Sequence, residues 1–431
     1  MGLGIRLVLV GLVAFSVAVS GGVPASAVVE DQLLAPTATP AGTFGGVPYV
    51  RYEGIFEGET STGAFRVPYR ITAPADPALG NGRVIVEPSH RVVGLGVLNL
   101  YLRPDLLFTR GFAHAGIGWS TASFGPGADM RILDPSVPGT FIKGGFEESG
   151  GRTDHEIIVN FARALAVDPD ARSMLGQVAR RYVTGLSDSS YPVMDLVTSG
   201  LAGSVFDLAM PITTEWKDPQ PAIENGLFRG KLAIVNSEAD ASSSLVDRGV
   251  APNHYRFYAV AGTPHIPDLL EIPFFSRQST PASWLPALRA HFLQADRWVR
   301  KGTPPPGSYH LKTTAGNEIE RDANGNAITV NTSEQPVPRL PFVDLGEARF
   351  VTGFTGSYDN VKSITDLGFG SHAAYVKAFR SKLAAYRAAG YIRPEEAAAM
   401  RERARLCPPL TFTETYRDHY DDFVSIQPCS G

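Results

Sequence analysis

A short segment near the middle of the chain has the residue pattern of a serine nucleophile on a tight turn. It reads Tyr182-Val183-Thr184-Gly185-Leu186-Ser187-Asp188-Ser189-Ser190. A serine exposed between a strand and a helix needs small residues two positions before it and two positions after it. Gly185 and Ser189 meet that need for Ser187, whereas Ser189 would be followed by the bulky Tyr191. Ser187 is therefore the predicted nucleophile; the simpler alternative is that Ser187 and Ser189 only cap the next helix.

Two later segments could supply the partners that such a serine needs. A histidine must take the hydroxyl proton, and a carboxylate must orient that histidine. In a sheet of this type, the acid and then the histidine follow the serine along the chain. Asp240 and Glu238 follow one predicted strand, and His265 follows the next. We prefer Asp240 as the acid and keep Glu238 as second choice, while His265 alone among nine histidines combines a strand end with the right order.

Acyl transfer also requires two backbone N–H donors for the negative charge that develops on the substrate. The amide of Asp188, directly after the nucleophile, is the first predicted donor. The second should lie in the loop after the strand 83–87. Pro88 has no N–H, which leaves the amide of Ser89, our first choice, or that of His90. The Asp188 carboxylate is expected to point away from the developing charge.

The elements that position these residues alternate between strand and helix patterns. Such alternation implies right-handed crossovers and a mostly parallel sheet with helices on both faces, an α/β fold. A helix containing Trp298 ends at Gly302, before three prolines. Strands are predicted at 49–56, 64–71, 83–87, 112–119, 181–186, 205–211, 231–236 and 255–261.

After Gly302, the alternation of strand and helix patterns gives way to a hairpin signal and two helices. Asn324-Gly325 between two apolar-polar runs predicts a hairpin rather than a calcium loop, because no glutamate follows at the required position. Two helices are predicted from His372 onward, separated by Gly390 as a stop and Pro394 as a start. The predicted division is a signal peptide 1–27, an N-terminal extension 28–48, an α/β core 49–302 and a C-terminal extension 303–431 packed on the core.

Composition and charge exclude several classes of protein. The 431 residues are 44% hydrophobic and 19% charged, with a formal charge of -4, which fits a globular chain rather than a disordered one. No basic tract suggests binding to nucleic acid. Beyond the first residues, no apolar run reaches the roughly 20 residues of a stable membrane span. The histidines lack metal-ligand spacing, and the predicted chemistry requires neither a metal nor another cofactor.

The N-terminal residues point to export, and export in turn favours a disulfide between the two cysteines. Arg6 precedes an apolar run, and Ala25-Ser26-Ala27 has the small-x-small form of a signal peptidase site, so cleavage is expected near Ala27. The mature chain is then secreted or held in the cell envelope. Cys407 and Cys429, the two cysteines of the chain, are expected to form a disulfide in that compartment.

The chain resembles the α/β-hydrolase fold, and in particular a bacterial family of alpha/beta hydrolase domain proteins, many of them exported. The resemblance rests on the Gly-Leu-Ser-Asp-Ser turn, the Asn-Ser-Glu-Ala-Asp turn and the Ala-Gly-Thr-Pro-His loop, and on the C-terminal helical pair. It covers about 49–406. Asp188 and Ser190 depart from the family's serine turn. The resemblance implies a serine esterase-like activity with no defined substrate.

The leading hypothesis is a secreted carboxylic ester hydrolase that uses Ser187, His265 and Asp240 and forms an acyl-enzyme. Its substrate would be a small-molecule or polymeric ester. One alternative is a hydrolase-fold protein without activity that serves as a binding or envelope protein, as the altered serine turn and the large C-terminal extension suggest. Another is an acyltransferase or amidase with the same triad. The sequence identifies no partner protein.

The substrate pocket is the least defined part of the prediction. Loops at 121–151 and 212–227 are expected to lie over the site. Four aromatic side chains could line an apolar pocket, although packing in the core is equally compatible with each of them. They are Trp119, Phe124, Phe146 and Trp216.

Overall fold

A mixed, mostly parallel sheet forms the centre of the protein in the computed structural model. The structure describes residues 31–61, 63–90, 94–95, 101–119, 155–215, 217–266 and 280–410. Within them, eleven strands form one sheet and two form a small hairpin sheet. The strands are β1 (Gln32–Phe44), β2 (Val47–Thr60), β3 (Gly63–Pro74), β4 (Arg83–Pro88), β5 (Ala113–Ile117), β6 (Arg180–Leu186), β7 (Leu208–Ile212), β8 (Lys231–Ser237), β9 (Tyr255–Val260), β10 (Tyr309–Leu311) and β11 (Thr329–Asn331), with β12 (Arg349–Val351) and β13 (Ser357–Asp359) as the hairpin.

Helices cover both faces of the large sheet. They are α1 (Pro104–Phe108), α2 (Glu156–Val167), α3 (Pro169–Leu175), α4 (Ser190–Ser199), α5 (Gln220–Glu224), α6 (Leu285–Lys301), α7 (Pro341–Asp344), α8 (His372–Ala388) and α9 (Pro394–Leu406). Apolar residues of α2 to α5 pack in one core layer, and those of α1 and α6 to α9 pack in the other. Because both faces are covered, the central strands are apolar on both sides, as parallel strands usually are.

The strand order brings the predicted site residues to one edge of the sheet. The order is β1-β2-β3-β5-β4-β6-β7-β8-β9-β10-β11, and β4 to β10 pair in parallel. Ser187, Asp240 and His265 follow β6, β8 and β9, so all three lie at the carboxyl edge, where ligands bind in sheets of this kind. The predicted α/β architecture is confirmed: a mostly parallel sheet has helices on both faces, with a C-terminal hairpin and helical pair.

The large sheet continues beyond the ends of the predicted core. The N-terminal extension contributes β1, and the C-terminal extension contributes β10 and β11. Sequence patterns missed β1 because it contains Pro36 and Pro40, which cannot donate to a strand ladder. The structure tolerates both because β1 is an edge strand whose register shifts around each proline. The signal peptide and Cys429 lie outside the described residues, so export, the disulfide and the domain division stay predictions.

The C-terminal extension folds largely as its turn residues predict. The Asp322 carboxylate accepts hydrogen bonds from the amides of Asn324 and Asn326, at 2.8 and 3.1 Å, and Gly325 takes a φ of +80°. This turn confirms the predicted hairpin. The helical pair is also confirmed, since α8 ends before Gly390 and α9 starts at Pro394. No helix among the described residues is long and apolar enough to cross a membrane.

A buried carboxyl group lies between the small hairpin sheet and the helical pair. Glu347 is fully buried, and the hydroxyl of Tyr375 on α8 donates to its Oε1 at 2.9 Å. Loss of hydration raises the pKa of Glu347 to about 7, although the positive charge of Arg403 acts in the opposite direction. This carboxyl group therefore holds a proton through much of the mildly acidic range.

Glu347 should make the folded state less stable as the pH rises from about 4.5 to about 7, because the folded chain retains a proton there that the unfolded chain has lost. Glu347→Gln cannot ionise, so its melting temperature should change less over this window than that of the wild type. Glu318→Gln, at an exposed carboxylate, should behave like the wild type. Equal pH dependence of melting in Glu347→Gln and the wild type would contradict the assignment.

Candidate active site

The turn between β6 and α4 holds Ser187 in an unusual backbone conformation. Its φ is +51°, in the left-handed region that residues other than glycine rarely adopt. Ser187 begins a single 3-10 turn, Ser187–Ser189, which runs directly into α4. Strained backbone of this kind clusters at functional sites, and a sharp strand-to-helix turn exposes the serine hydroxyl.

Two small residues make this turn possible. A Cβ atom on Gly185 would lie 2.1 Å from the carbonyl oxygen of Ser189, closer than any real contact, so only glycine fits there. The Ser189 hydroxyl is buried, accepts from the Leu186 amide at 2.9 Å and donates to the Leu186 carbonyl at 3.0 Å. Ser189 thus closes the turn through its side chain, and its hydroxyl is not presented to a substrate.

Three side chains from three strand ends meet at this turn. The Oγ of Ser187 lies 2.8 Å from Nε2 of His265, and Nδ1 of His265 lies 2.6 Å from Oδ1 of Asp240. The Asp240 and His265 side chains are only 6% and 14% exposed. A carboxylate only accepts hydrogen bonds, so Nδ1 carries the imidazole proton and Nε2 accepts from the serine hydroxyl. The structure brings together the three residues that the strand order singled out.

The turn after β8 fixes the Asp240 carboxylate. The Ser237 hydroxyl donates to Oδ2 of Asp240 at 2.5 Å, which leaves Oδ1 for the imidazole. The Asn236 side chain donates to the backbone carbonyls of Asp240, at 2.9 Å, and of Thr214, at 2.6 Å. These bonds tie the turn to the loop after β7. Sequence reasoning noted the Asn-Ser-Glu-Ala-Asp turn but gave Asn236 and Ser237 no role.

Glu238, the second choice for the acid, makes a different set of contacts. Its side chain is almost fully buried, and its Oε2 accepts from the Gly262 amide at 2.7 Å. Its Oε1 accepts from the Thr352 hydroxyl at 3.2 Å and pairs with the Arg321 guanidinium at 2.8 Å. Glu238 therefore joins the acid turn, the histidine loop and the C-terminal extension, and Asp240 is the carboxylate that contacts the imidazole.

Most of the chain matches the sequence pattern of a known protein family. The chain matches the alpha/beta hydrolase domain family over residues 56–402. It belongs to that family. The match runs from within β2 to within α9, so it includes most of the C-terminal extension, and the resemblance drawn from the motifs is confirmed. No curated protein matches the chain in sequence.

Solved structures of esterases and related hydrolases are similar to about half of this hydrolase-family chain. A promiscuous esterase from a marine bacterial metagenome is 11% identical, with a TM-score of 0.28, over 49% of this chain and 68% of its own. An S-formylglutathione hydrolase from Agrobacterium tumefaciens is 9% identical, with a TM-score of 0.30, over 48% and 80%. A tannin acyl hydrolase from Aspergillus niger is 16% identical, with a TM-score of 0.25, over 46% and 35%.

The structure gives different outcomes for the two predicted oxyanion donors of this hydrolase-family protein. Asp188 follows Ser187 in the 3-10 turn that runs directly into α4, so its amide stays the predicted first donor. The Ser89 amide instead donates to the Ile117 carbonyl at 2.8 Å, because the pairing of β4 with β5 continues past Pro88. The His90 amide donates to Gly94 at 2.9 Å. The prediction that Ser89, or alternatively His90, supplies the second donor is therefore wrong, because both N–H groups already donate to backbone carbonyls.

A segment of the C-terminal extension lies against the histidine loop, which sequence reasoning missed. The amide of His265 donates to the carbonyl of Gly353, and that of Ile266 donates to the carbonyl of Phe354, each at 2.9 Å. The Phe354 ring stacks on the His265 imidazole, with centroids 5.2 Å apart and planes 18° apart. In the sequence, the only signal for this segment is the pair of glycines around Phe354. They predict a loop but do not indicate which part of the protein the loop contacts.

Of the four aromatic residues predicted to line a pocket, the structure describes one. Trp119 is buried, and its indole N–H donates to the Ser89 carbonyl at 2.7 Å. Trp119 thus packs beneath the loop after β4, which fits the core alternative rather than a pocket wall. Phe124, Phe146 and Trp216 lie outside the described residues.

Gly185→Ala should disrupt the serine turn, because the new methyl group would overlap the backbone of Ser189. We expect the free energy of unfolding to fall by about 1–3 kcal/mol, measured by urea denaturation. Gly307→Ala is the matched control, since a Cβ on Gly307 meets nothing within 4 Å. If Gly185→Ala were as stable as Gly307→Ala, the close approach at the turn would not be the constraint described.

Proposed function

We propose that this protein is a serine hydrolase that cleaves carboxylic esters through an acyl-enzyme. The observation that carries the proposal is the unbroken chain of hydrogen bonds from Ser187 through His265 to Asp240. Membership of the alpha/beta hydrolase domain family supports the same reading. A small-molecule or polymeric ester is the proposed substrate.

The proposed reaction has two halves. Ser187 Oγ attacks the ester carbonyl while His265 Nε2 takes its proton, and Asp240 stabilises the resulting imidazolium. The carbon–oxygen bond to the alcohol then breaks, and His265 returns the proton to the leaving oxygen. A water molecule, deprotonated by His265, releases the acid and restores the serine. The Asp188 amide is the proposed donor to the negative oxygen in both halves.

The geometry favours catalysis over a purely structural role for the fold. A binding or envelope scaffold has no need for a strained serine against a histidine, or for a histidine held by a buried carboxylate. Both features are present here. They would serve amide cleavage or acyl transfer equally well, because those reactions share the acyl-enzyme.

We also propose that the hydrolase acts outside the cytoplasm. The support is the signal-peptide pattern that ends at Ala27, and a disulfide between Cys407 and Cys429 would be expected in that compartment. Cys407 is buried directly after α9, in the part of the chain that a disulfide to the tail would anchor.

Ser187→Ala should lower kcat/KM for p-nitrophenyl acetate by at least about 10⁴-fold, because the variant lacks the proposed nucleophile. Ser199→Ala is the control: it removes an exposed hydroxyl at the end of α4, away from the serine turn, and it should retain most of the activity. The rates are measured by release of p-nitrophenolate. Comparable activity in Ser187→Ala and the wild type would reject the proposal.

Asp240→Asn should lower kcat by about 10⁴-fold, because an amide at this position favours the wrong imidazole tautomer. Glu238→Gln keeps an acceptor for the Gly262 amide and should lower kcat by less than about tenfold. Steady-state kinetics of the two folded variants, compared side by side, test the assignment of the acid. A larger loss in Glu238→Gln than in Asp240→Asn would assign the acid to Glu238.

A further inference from the structure

A large aromatic side chain is exposed directly beside the proposed catalytic histidine. Phe354 lies in the loop between β12 and β13, and its ring stacks on the imidazole of His265. The residue nevertheless remains 51% exposed. Another apolar side chain of the same hairpin, Val351, is 42% exposed. An apolar surface beside a reacting group is a natural contact for the apolar part of a substrate.

The loop around Phe354 is held by contacts other than those of its ring. Its carbonyl accepts the Ile266 amide, and the Thr352 hydroxyl donates to the buried Glu238. Gly356 packs so closely against the histidine loop that a Cβ would lie 2.9 Å from the Pro264 side chain and 2.4 Å from that of Thr280. These contacts set the loop in place without the Phe354 ring, so removing the ring leaves them intact.

The chemistry of the triad identifies which part of an ester would meet this ring. His265 Nε2 must deliver its proton to the oxygen of the leaving alcohol, so the alcohol part lies on the histidine side of the reacting carbon. The acyl part remains on Ser187. Because the Phe354 ring lies over the imidazole, its exposed surface adjoins the space into which the alcohol departs.

We propose that Phe354 contacts the alcohol part of the substrate and selects esters of aromatic or bulky apolar alcohols. The inference rests on the proposed ester hydrolysis, and it assigns substrate preference to the C-terminal extension. The contact is made only until the carbon–oxygen bond breaks, because the alcohol then leaves and water takes its place. Phe354 therefore affects formation of the acyl-enzyme and not its hydrolysis.

The test compares three esters with the full mature protein and with Phe354→Ala. Benzyl acetate and methyl acetate differ in the alcohol, and their alcohols are similar leaving groups, whereas methyl hexanoate and methyl acetate differ in the acyl part. In Phe354→Ala, we expect the kcat/KM ratio of benzyl acetate to methyl acetate to fall about tenfold, the value of one aromatic contact. The ratio of methyl hexanoate to methyl acetate should stay as in the wild type.

Two further variants keep the test decisive. Phe354→Leu retains apolar bulk without the ring and should lower the alcohol ratio less, by about threefold, and it decides the question if the alanine variant does not fold. Val167→Ala removes an exposed apolar side chain at the end of α2. This end of α2 faces the amino edge of the sheet, away from His265, so both ratios should stay unchanged.

Two results would overturn the inference. One is an unchanged alcohol ratio, and an equal loss of rate on all three esters would then mean that the ring only positions His265. The other is a change in the acyl ratio instead of the alcohol ratio. Titration of the wild type with a fluorophosphonate separates these results from failure of the proposed function. A protein that is titrated and cleaves esters without the expected ratio refutes the Phe354 contact alone, whereas one that neither reacts nor cleaves esters refutes both.

Discussion

The close approach of Gly185 to the carbonyl of Ser189 is the contact on which the site depends. With any side chain at position 185, the strand could not turn into α4 within three residues. The tight turn holds Ser187 in the left-handed region and brings its hydroxyl to hydrogen-bonding distance of His265. The Ser189 hydroxyl, bonded to both backbone groups of Leu186, replaces the second glycine of the more common pattern. A small change in this turn therefore moves the proposed nucleophile directly.

The parallel strands bring Ser187, Asp240 and His265 to one edge of the sheet, and buried polar contacts fix the orientation of the acid turn. Ser237 and Asn236 hold the acid turn, while Glu238 links that turn to the Gly262 amide and to Arg321 of the C-terminal extension. A buried carboxylate without such partners would be costly, but Glu238 has a partner on each oxygen. The C-terminal extension thus contacts the turns that hold the candidate site, which agrees with a family match that runs through it.

The sequence predicted the parts of the site that depend on local patterns. Ser187, Asp240 and His265 could be predicted to lie together because each follows a recognisable strand and because they occur along the chain in the order serine, acid, histidine. Ser89 was wrongly chosen as a donor, since nothing local shows that strand pairing continues past Pro88. Contacts across long separations also leave no local pattern: Thr352 reaches Glu238 over 114 residues. The placement of the C-terminal extension therefore required the structure.

The most direct test of the account is the site of covalent modification by a fluorophosphonate, located by tandem mass spectrometry on the folded protein. The reagent reports a serine activated by a neighbouring histidine, because an ordinary serine hydroxyl is a poor nucleophile. The account predicts one adduct per chain, on Ser187, and no adduct when His265 is replaced by alanine. An adduct on another residue, or ester cleavage by a protein that the reagent never modifies, would contradict it.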